Sequence, residues 1–179
     1  SEGQPARGVT NQNNNPKNYP DTDTTYDYLG YAHNYYVNII GRNGANNSGG
    51  LGDGSLDFPS SESAAFTFID VVDDLVDPVC PNAFWNGSYI GICIGLSKLD
   101  TIAHEYQHAV TQYSVSGVGF TNGGESGTLS ESFSDIFAIL AEYSQLGYND
   151  INNPSSLDWL VMEGVDPADT FGFVVTRSL

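Results

Sequence analysis

Hydrophobic positions fall into blocks with different spacing along the chain. Tyr28, Leu29, Tyr35, Tyr36, Ile39 and Ile40 recur at helical intervals. They predict a helix over 21–40, capped by Asp21 or Thr22 and carrying His33. The run AAFTFIDVV at 64–72 is dense in Phe, Val and Ile and predicts one strand, followed by an acidic turn. Ile102, Tyr106, Ala109, Val110 and Tyr113 predict a second helix, over about 98–115. Leu129, Phe133, Ile136, Phe137 and Leu140 predict a third over about 128–146, with Ser126 or Thr128 as its cap. The connecting segments differ in kind. Residues 1–20, rich in Asn, Pro and Gln, read as an extended arm, 41–54 and 117–127 as glycine-rich loops, and 147–179 as loop-rich chain. The whole reads as one α+β unit: a partial β-rich N-terminal lobe at 21–97, a central helix at 98–115, and the start of a helical C-terminal lobe at 116–179.

A hairpin is marked inside the first lobe by CPNAFWNGSYIGIC. Asn-Gly at 86–87 favours a two-residue type I′ turn, which sets Trp85 opposite Ser88 and, counting outward, Cys80 opposite Cys93. Cysteines at such a non-hydrogen-bonded pair are close enough to bridge. A Cys80–Cys93 disulfide implies an exported, extracellular protein; two buried free thiols are the alternative. Sequons at Asn46 and Asn86 are compatible with export.

Composition narrows the partners. The chain has 179 residues, enough for one domain with a core. Acids outnumber Lys plus Arg by 22 to 5, for a net charge of −17, which disfavours nucleic acid and anionic membrane surfaces and favours cations. No apolar run reaches the roughly 18 residues of a spanning helix.

Two of the three histidines stand in TIAHEYQHAVT. His104 and His108 leave the same side of a helix, as two ligands of one zinc ion must. Glu105 is turned about 100° from His104, beside the metal rather than on it, where a bound water needs a base. Two hydrogen-bonded histidines on a partly buried helix would give the same short pattern. The next helix argues against that alternative. Glu131 and Asp135, four apart, point away from its apolar stripe. Glu131 can complete a His₂Glu set, and Asp135 can accept the free N–H of a ligand histidine and fix its tautomer.

HEYQHAVTQY, then ESGTLSESFSDIF, with PNAFWNG upstream and SEGQP leading to TTYDYLGYAHNYY, resemble the thermolysin-like family of secreted neutral zinc endopeptidases. The resemblance covers the middle part of the family's catalytic unit. It implies a thermolysin-like zincin fold, zinc on His104, His108 and Glu131, Glu105 as general base, and Asp135 orienting a ligand histidine. It further implies that Asn82 and Ala83, with Trp85 on the same strand, bind the backbone of a protein or peptide substrate by strand addition. Structural calcium is implied near Asp100 and Glu142, with Asp158 and Glu163 as a further pair.

The resemblance also has gaps. The family's C-terminal lobe supplies a histidine that stabilises the oxyanion, and the chain has no counterpart for it; His33 belongs to a helix that resembles a structural one. Phe120 stands where the family has a tyrosine that helps hold the oxyanion, which removes a donor. The expectation is therefore zinc-dependent hydrolysis of internal peptide bonds, with a missing C-terminal lobe as a partner in full activity. The competing expectations are a zinc-binding but catalytically impaired relative acting as a binding module, and a calcium-stabilised acidic structural domain.

Overall fold

A computed structural model describes residues 20–49, 62–66, 69–75, 80–93, 95–115, 120, 123–146, 160–161 and 177–178. The expected arm therefore lies outside the described residues. Helix α1 spans Pro20–Tyr35 and runs on as a π-helical turn, Tyr36–Ile40. That turn ends at Gly41, whose φ of 74° is the left-handed conformation glycine tolerates. The predicted apolar face holds as far as Leu29, Tyr35 and Tyr36, which are buried, but Ile39 and Ile40 are exposed. The wider π turn carries these two residues off the phase of the α-helical stripe.

Strands β1 (Glu62–Phe66), β2 (Ile69–Leu75), β3 (Ala83–Trp85) and β4 (Tyr89–Cys93) form one sheet in the order β1-β2-β4-β3. β2 and β4 are parallel, while β1 with β2 and β3 with β4 are antiparallel. Two sequence expectations are corrected here. The run read as one strand folds back on itself, with Ala64 opposite Val71 and Phe66 opposite Ile69. Its composition marks strand but contains no Gly, Pro or Asn to mark a reversal. The supposed acidic turn is partly strand, since β2 continues through Asp73 and Asp74 to Leu75.

The hairpin register also differs. Trp85 pairs with Ile90 and Ala83 with Ile92, and Asn86 N–H donates to Tyr89 O at 3.2 Å, so the turn centres on Gly87–Ser88 rather than on Asn86–Gly87. Asn86 causes the shift: its Oδ1 accepts the N–H groups of Ser88 (2.9 Å) and Tyr89 (3.0 Å). It thus closes the turn at its first position instead of sitting inside it. The Cys80–Cys93 disulfide forms nonetheless, with Cα atoms 5.6 Å apart. The regular ladder stops at Ala83, and the preceding chain returns to β4 through the Asn82 carbonyl, which accepts Cys93 N–H at 3.0 Å.

Helix α2 (Leu99–Ser114) is the centre of the core. Ile102, Tyr106 and Ala109 are fully buried, packed in one cluster with Leu29 and Tyr36 of α1, Ile90 and Ile92 of β4, and Ala138 and Ala141 of α3. Helix α3 spans Gly124–Leu146 and starts one turn earlier than its pattern suggests. Neither predicted cap acts as one: Ser126 lies inside the helix, and Thr128 Oγ1 donates back to Gly124 O at 3.1 Å. The predicted stripe is the larger correction. Leu129, Phe133 and Ile136 are 46%, 38% and 38% exposed, and only Phe137 and Leu140 of the stripe pack against the core, while Ser134, Asp135, Ala138, Ile139 and Ala141 are buried. Alanines on this face let two helices approach closely, and its polar side chains find partners on α2. Beyond α3, a short antiparallel pair joins β5 (Leu160–Val161) to β6 (Arg177–Ser178).

Candidate metal and catalytic site

The site is built where α2 meets α3. Helix α2 begins after Lys98, whose extended backbone (φ −120°) accepts the first helical N–H, from Ile102. In its first turn Asp100 is buried and its Oδ1 accepts Thr101 N–H at 2.6 Å. An acidic group there favours the helix through its macrodipole. His104, Glu105, Gln107 and Thr111 are also buried. Polar groups at that depth need partners, and these decide the geometry.

His104 and His108 present their Nε2 atoms 3.1 Å apart. Glu131 reaches across from α3, with one oxygen 3.4 Å from His104 Nε2 and the other 3.3 Å from His108 Nε2. Tetrahedral zinc with bonds of about 2.0–2.1 Å spaces its donors about 3.3–3.4 Å apart. The three side chains therefore fit such an ion in type, and their spacings of 3.1–3.4 Å are close to it, with Glu131 meeting each histidine through a different oxygen. Two imidazole nitrogens face each other at 3.1 Å only with a proton or a cation between them. The His104 imidazole is surrounded by acidic groups. Burial alone would lower its pKa, but hydrogen bonds with Asp135 and Glu131 and the charges of Glu105 and Asp135 outweigh it and raise the value to about 9.

Each histidine is held from behind. His104 Nδ1 lies 2.8 Å from Asp135 Oδ1, and both side chains are nearly buried. His108 Nδ1 lies 3.2 Å from Ser130 Oγ and 3.2 Å from Ser134 Oγ. Sequence reasoning missed the two serines. The available signal was their spacing: they stand four apart and flank Glu131 on the helix that carries it.

In front of this group lies a cleft of about 530 Å³. Glu105, Asn82, Ala83, Trp85 and Phe120 all line it, with His104, His108 and Glu131. Trp85 donates its indole N–H to Gln112 at 2.8 Å, which ties β3 to α2. β3 is the edge of its sheet among the described residues. Phe120 brings a ring without a donor to the cleft and stacks on Phe133, with centroids 6.3 Å apart.

The remaining predicted residues fall on two helices or outside the described residues. Asp100 lies on α2 and Glu142 on α3, while Asp158 and Glu163 lie outside the described residues. Among the described residues, the group of three or more His, Cys, Asp or Glu placed to hold an ion is His104, Glu105 and His108. Neither Asp100 nor Glu142 joins such a group. His33 is in the core rather than the cleft: burial lowers its pKa to about 4, and its Nδ1 is 3.2 Å from Tyr106 Oη. Among the described residues, no helix is long and apolar enough to cross a membrane.

No protein-family model matches the chain. It is similar to an extracellular metalloprotease of Pectobacterium carotovorum subsp. carotovorum, 26% identical over 169 residues that make up 90% of this chain and 39% of that protein. It is 32% identical to bacillolysin of Bacillus cereus over 146 residues, which are 77% of this chain and 21% of the relative. A thermolysin of Alicyclobacillus acidocaldarius is 30% identical over 124 residues, 65% of this chain and 19% of the relative. The chain thus spans between a fifth and two fifths of the length of these relatives. Among solved structures, the precursor of protealysin, a metalloproteinase from Serratia proteamaculans, superposes with a TM-score of 0.60 at 23% identity, over 87% of this chain and 45% of that one.

Proposed function

We propose that this chain, thermolysin-like in sequence over part of its length and thermolysin-like in fold, is the zinc-holding part of a secreted metalloendopeptidase. The observation that carries the reading is the convergence of His104, His108 and Glu131 donor atoms at 3.1–3.4 Å, at the floor of an open cleft. In it, those three residues hold one zinc ion. A zinc ion bound there supplies Lewis acidity, polarising a peptide carbonyl and making a water acidic at neutral pH.

The protein's own groups do the rest. Asp135 keeps the Nδ1 proton of His104 in place, so that Nε2 faces the donor set. Ser130 and Ser134 do the same for His108. Glu105 takes the proton of the attacking water and returns it to the leaving amine. Its burial at the edge of the cleft suits a base that must hold a proton between two steps. The substrate is a protein or peptide, its backbone laid along β3 at Asn82 and Ala83 with Trp85 beside it. Calcium on Asp100 and Glu142, with Asp158 and Glu163, is the stabilising part of the proposal. The disulfide and the extracellular relatives support secretion. A further helical lobe, of the kind the family carries, would complete the oxyanion site that Phe120 leaves without a donor.

The test is zinc content followed by cleavage of an unstructured protein such as casein, with calcium in excess. We expect about one zinc per chain, chelator-sensitive cleavage, and a Glu105→Gln variant that keeps the metal and loses the cleavage. A folded chain that takes up no zinc overturns the reading.

A further inference from the structure

Of the three residues between the histidines of HEYQH, Glu105 lines the cleft, while Tyr106 and Gln107 turn towards α1, and both are polar at their tips. Tyr106 and Gln107 are buried. Each meets a side chain of α1 or its π-helical turn, more than seventy residues away. Tyr106 Oη lies 3.2 Å from His33 Nδ1. Tyr36 donates its hydroxyl to Gln107 Oε1. Gln107 in turn donates its amide to Thr111 Oγ1 at 2.9 Å, and Thr111 lines the cleft. Tyr36 is itself fixed. Its carbonyl accepts the N–H groups of Gly41 and of Arg42, the latter at 2.8 Å, and its ring packs 5.2 Å from Tyr106 and 6.1 Å from Phe137.

Apolar packing resists separation of two helices but only weakly resists rotation of one against the other, because contact with Ile, Leu and Ala has little direction. Hydrogen bonds do have direction. Helix α2 is pinned by two of them, at Tyr106 on the side opposite its metal-facing atoms and at Gln107 on the flank between. The lever is long enough to matter. His Nε2 stands about 6–7 Å from the helix axis, so a rotation of about 15° moves it by about 1.7 Å. Metal-ligand distances tolerate about 0.2 Å.

We propose that His33 and Tyr36 are positioning residues for the metal site: through Tyr106 and Gln107 they set the rotation of α2 and so the place of both His Nε2 atoms. The proposal rests on the reading of His104, His108 and Glu131 as metal ligands. It gives α1 a task beyond filling the core, and it accounts for polar atoms at the centre of a cluster that apolar residues would otherwise fill.

The experiment removes the hydroxyls and keeps the rings, in the full chain, as Tyr36→Phe, Tyr106→Phe and the double variant. Tyr35→Phe is the control, since it removes a neighbouring hydroxyl of α1 and keeps the ring contacts with Tyr36 and Phe137. Zinc affinity is read by chelator competition, and the geometry of the donors by the visible absorption of the cobalt(II) form. The double variant should bind zinc about tenfold more weakly, with an altered cobalt spectrum, while the control keeps both. A double variant that melts lower yet keeps the wild-type zinc affinity and cobalt spectrum overturns the proposal and makes these bonds purely structural. Should the double variant not fold, Tyr36→Phe alone decides on the same two readings. Wild-type protein that binds neither zinc nor cobalt overturns the site itself, and this proposal with it.

Discussion

In α2 the apolar residues Ile102, Tyr106 and Ala109 are fully buried, whereas in α3 the matching stripe of Leu129, Phe133 and Ile136 faces outward. The two helices carry similar patterns and resolve them differently. Buried His104 and Glu105 on α2 need polar groups nearby, and Glu131, Asp135, Ser130 and Ser134 of α3 turn towards them while Leu129, Phe133 and Ile136 turn out. Turning that face inward satisfies the buried imidazoles and leaves large apolar side chains at the surface. An unsatisfied buried polar group costs about 1–3 kcal/mol, comparable to what burying a Leu or Phe contributes, so several polar partners together outweigh a stripe of three.

That comparison can be broken by substitution. The largest effect belongs to the stripe that is buried: Ile102→Ala should cost about 2–5 kcal/mol of stability in chemical denaturation, because a fully buried side chain leaves a cavity. A loss under 1 kcal/mol would place α2 outside the core.

Acid should act on the same helix from beneath. His33 has a folded pKa of about 4 against 6.5 in its ordinary state. Between those values the unfolded chain binds a proton that the folded chain excludes. The contribution of the neutral imidazole is thus present above pH 6.5 and is lost as pH falls through about 4. The whole loss is on the order of 3 kcal/mol. Melting of wild type and His33→Gln across that window should converge as pH falls. Parallel curves would mean that His33 titrates normally.

Smaller in free energy is the polar face of α3. Asp135→Asn should weaken zinc binding by about 10–100-fold in a chelator competition, since His104 loses an anionic partner at 2.8 Å. Unchanged affinity would show that the carboxylate is only a solubilising charge. The smallest effect is expected on the outward stripe. Ile136→Ser should change stability by no more than about 0.5 kcal/mol. A loss of the size found for Ile102→Ala would mean that this face is covered in solution.

The Cys80–Cys93 bridge forms in a register other than the one that suggested it, whereas the motif HEYQH, the pairing of Glu131 with Asp135 and the existence of three helices were all legible in the chain. Each depends on local spacing: a helix brings residues four apart to one side whatever surrounds it. Other features were not legible, for reasons that can be traced. The run 64–72 looked like one strand because its turn carries no turn residue. The hairpin register moved because the Asn86 side chain bonds to the backbone at two positions, a choice that dipeptide preference does not encode. The inward face of α3 was misread because the apolar pattern was taken to decide burial by itself.

By itself, then, the sequence determined which residues share a helix side, and so which side chains were available to act as donors. The tertiary structure decided which of those sides meet. It brought Glu131 to within 3.4 Å of His104, placed Ser130 and Ser134 behind His108, and set His33 and Tyr36 under helix α2. The physical reason is that a helix fixes its own periodicity through backbone bonds within a few residues, whereas its rotation in the fold is chosen by partners distant in the chain, where directional polar contacts outvote an apolar stripe.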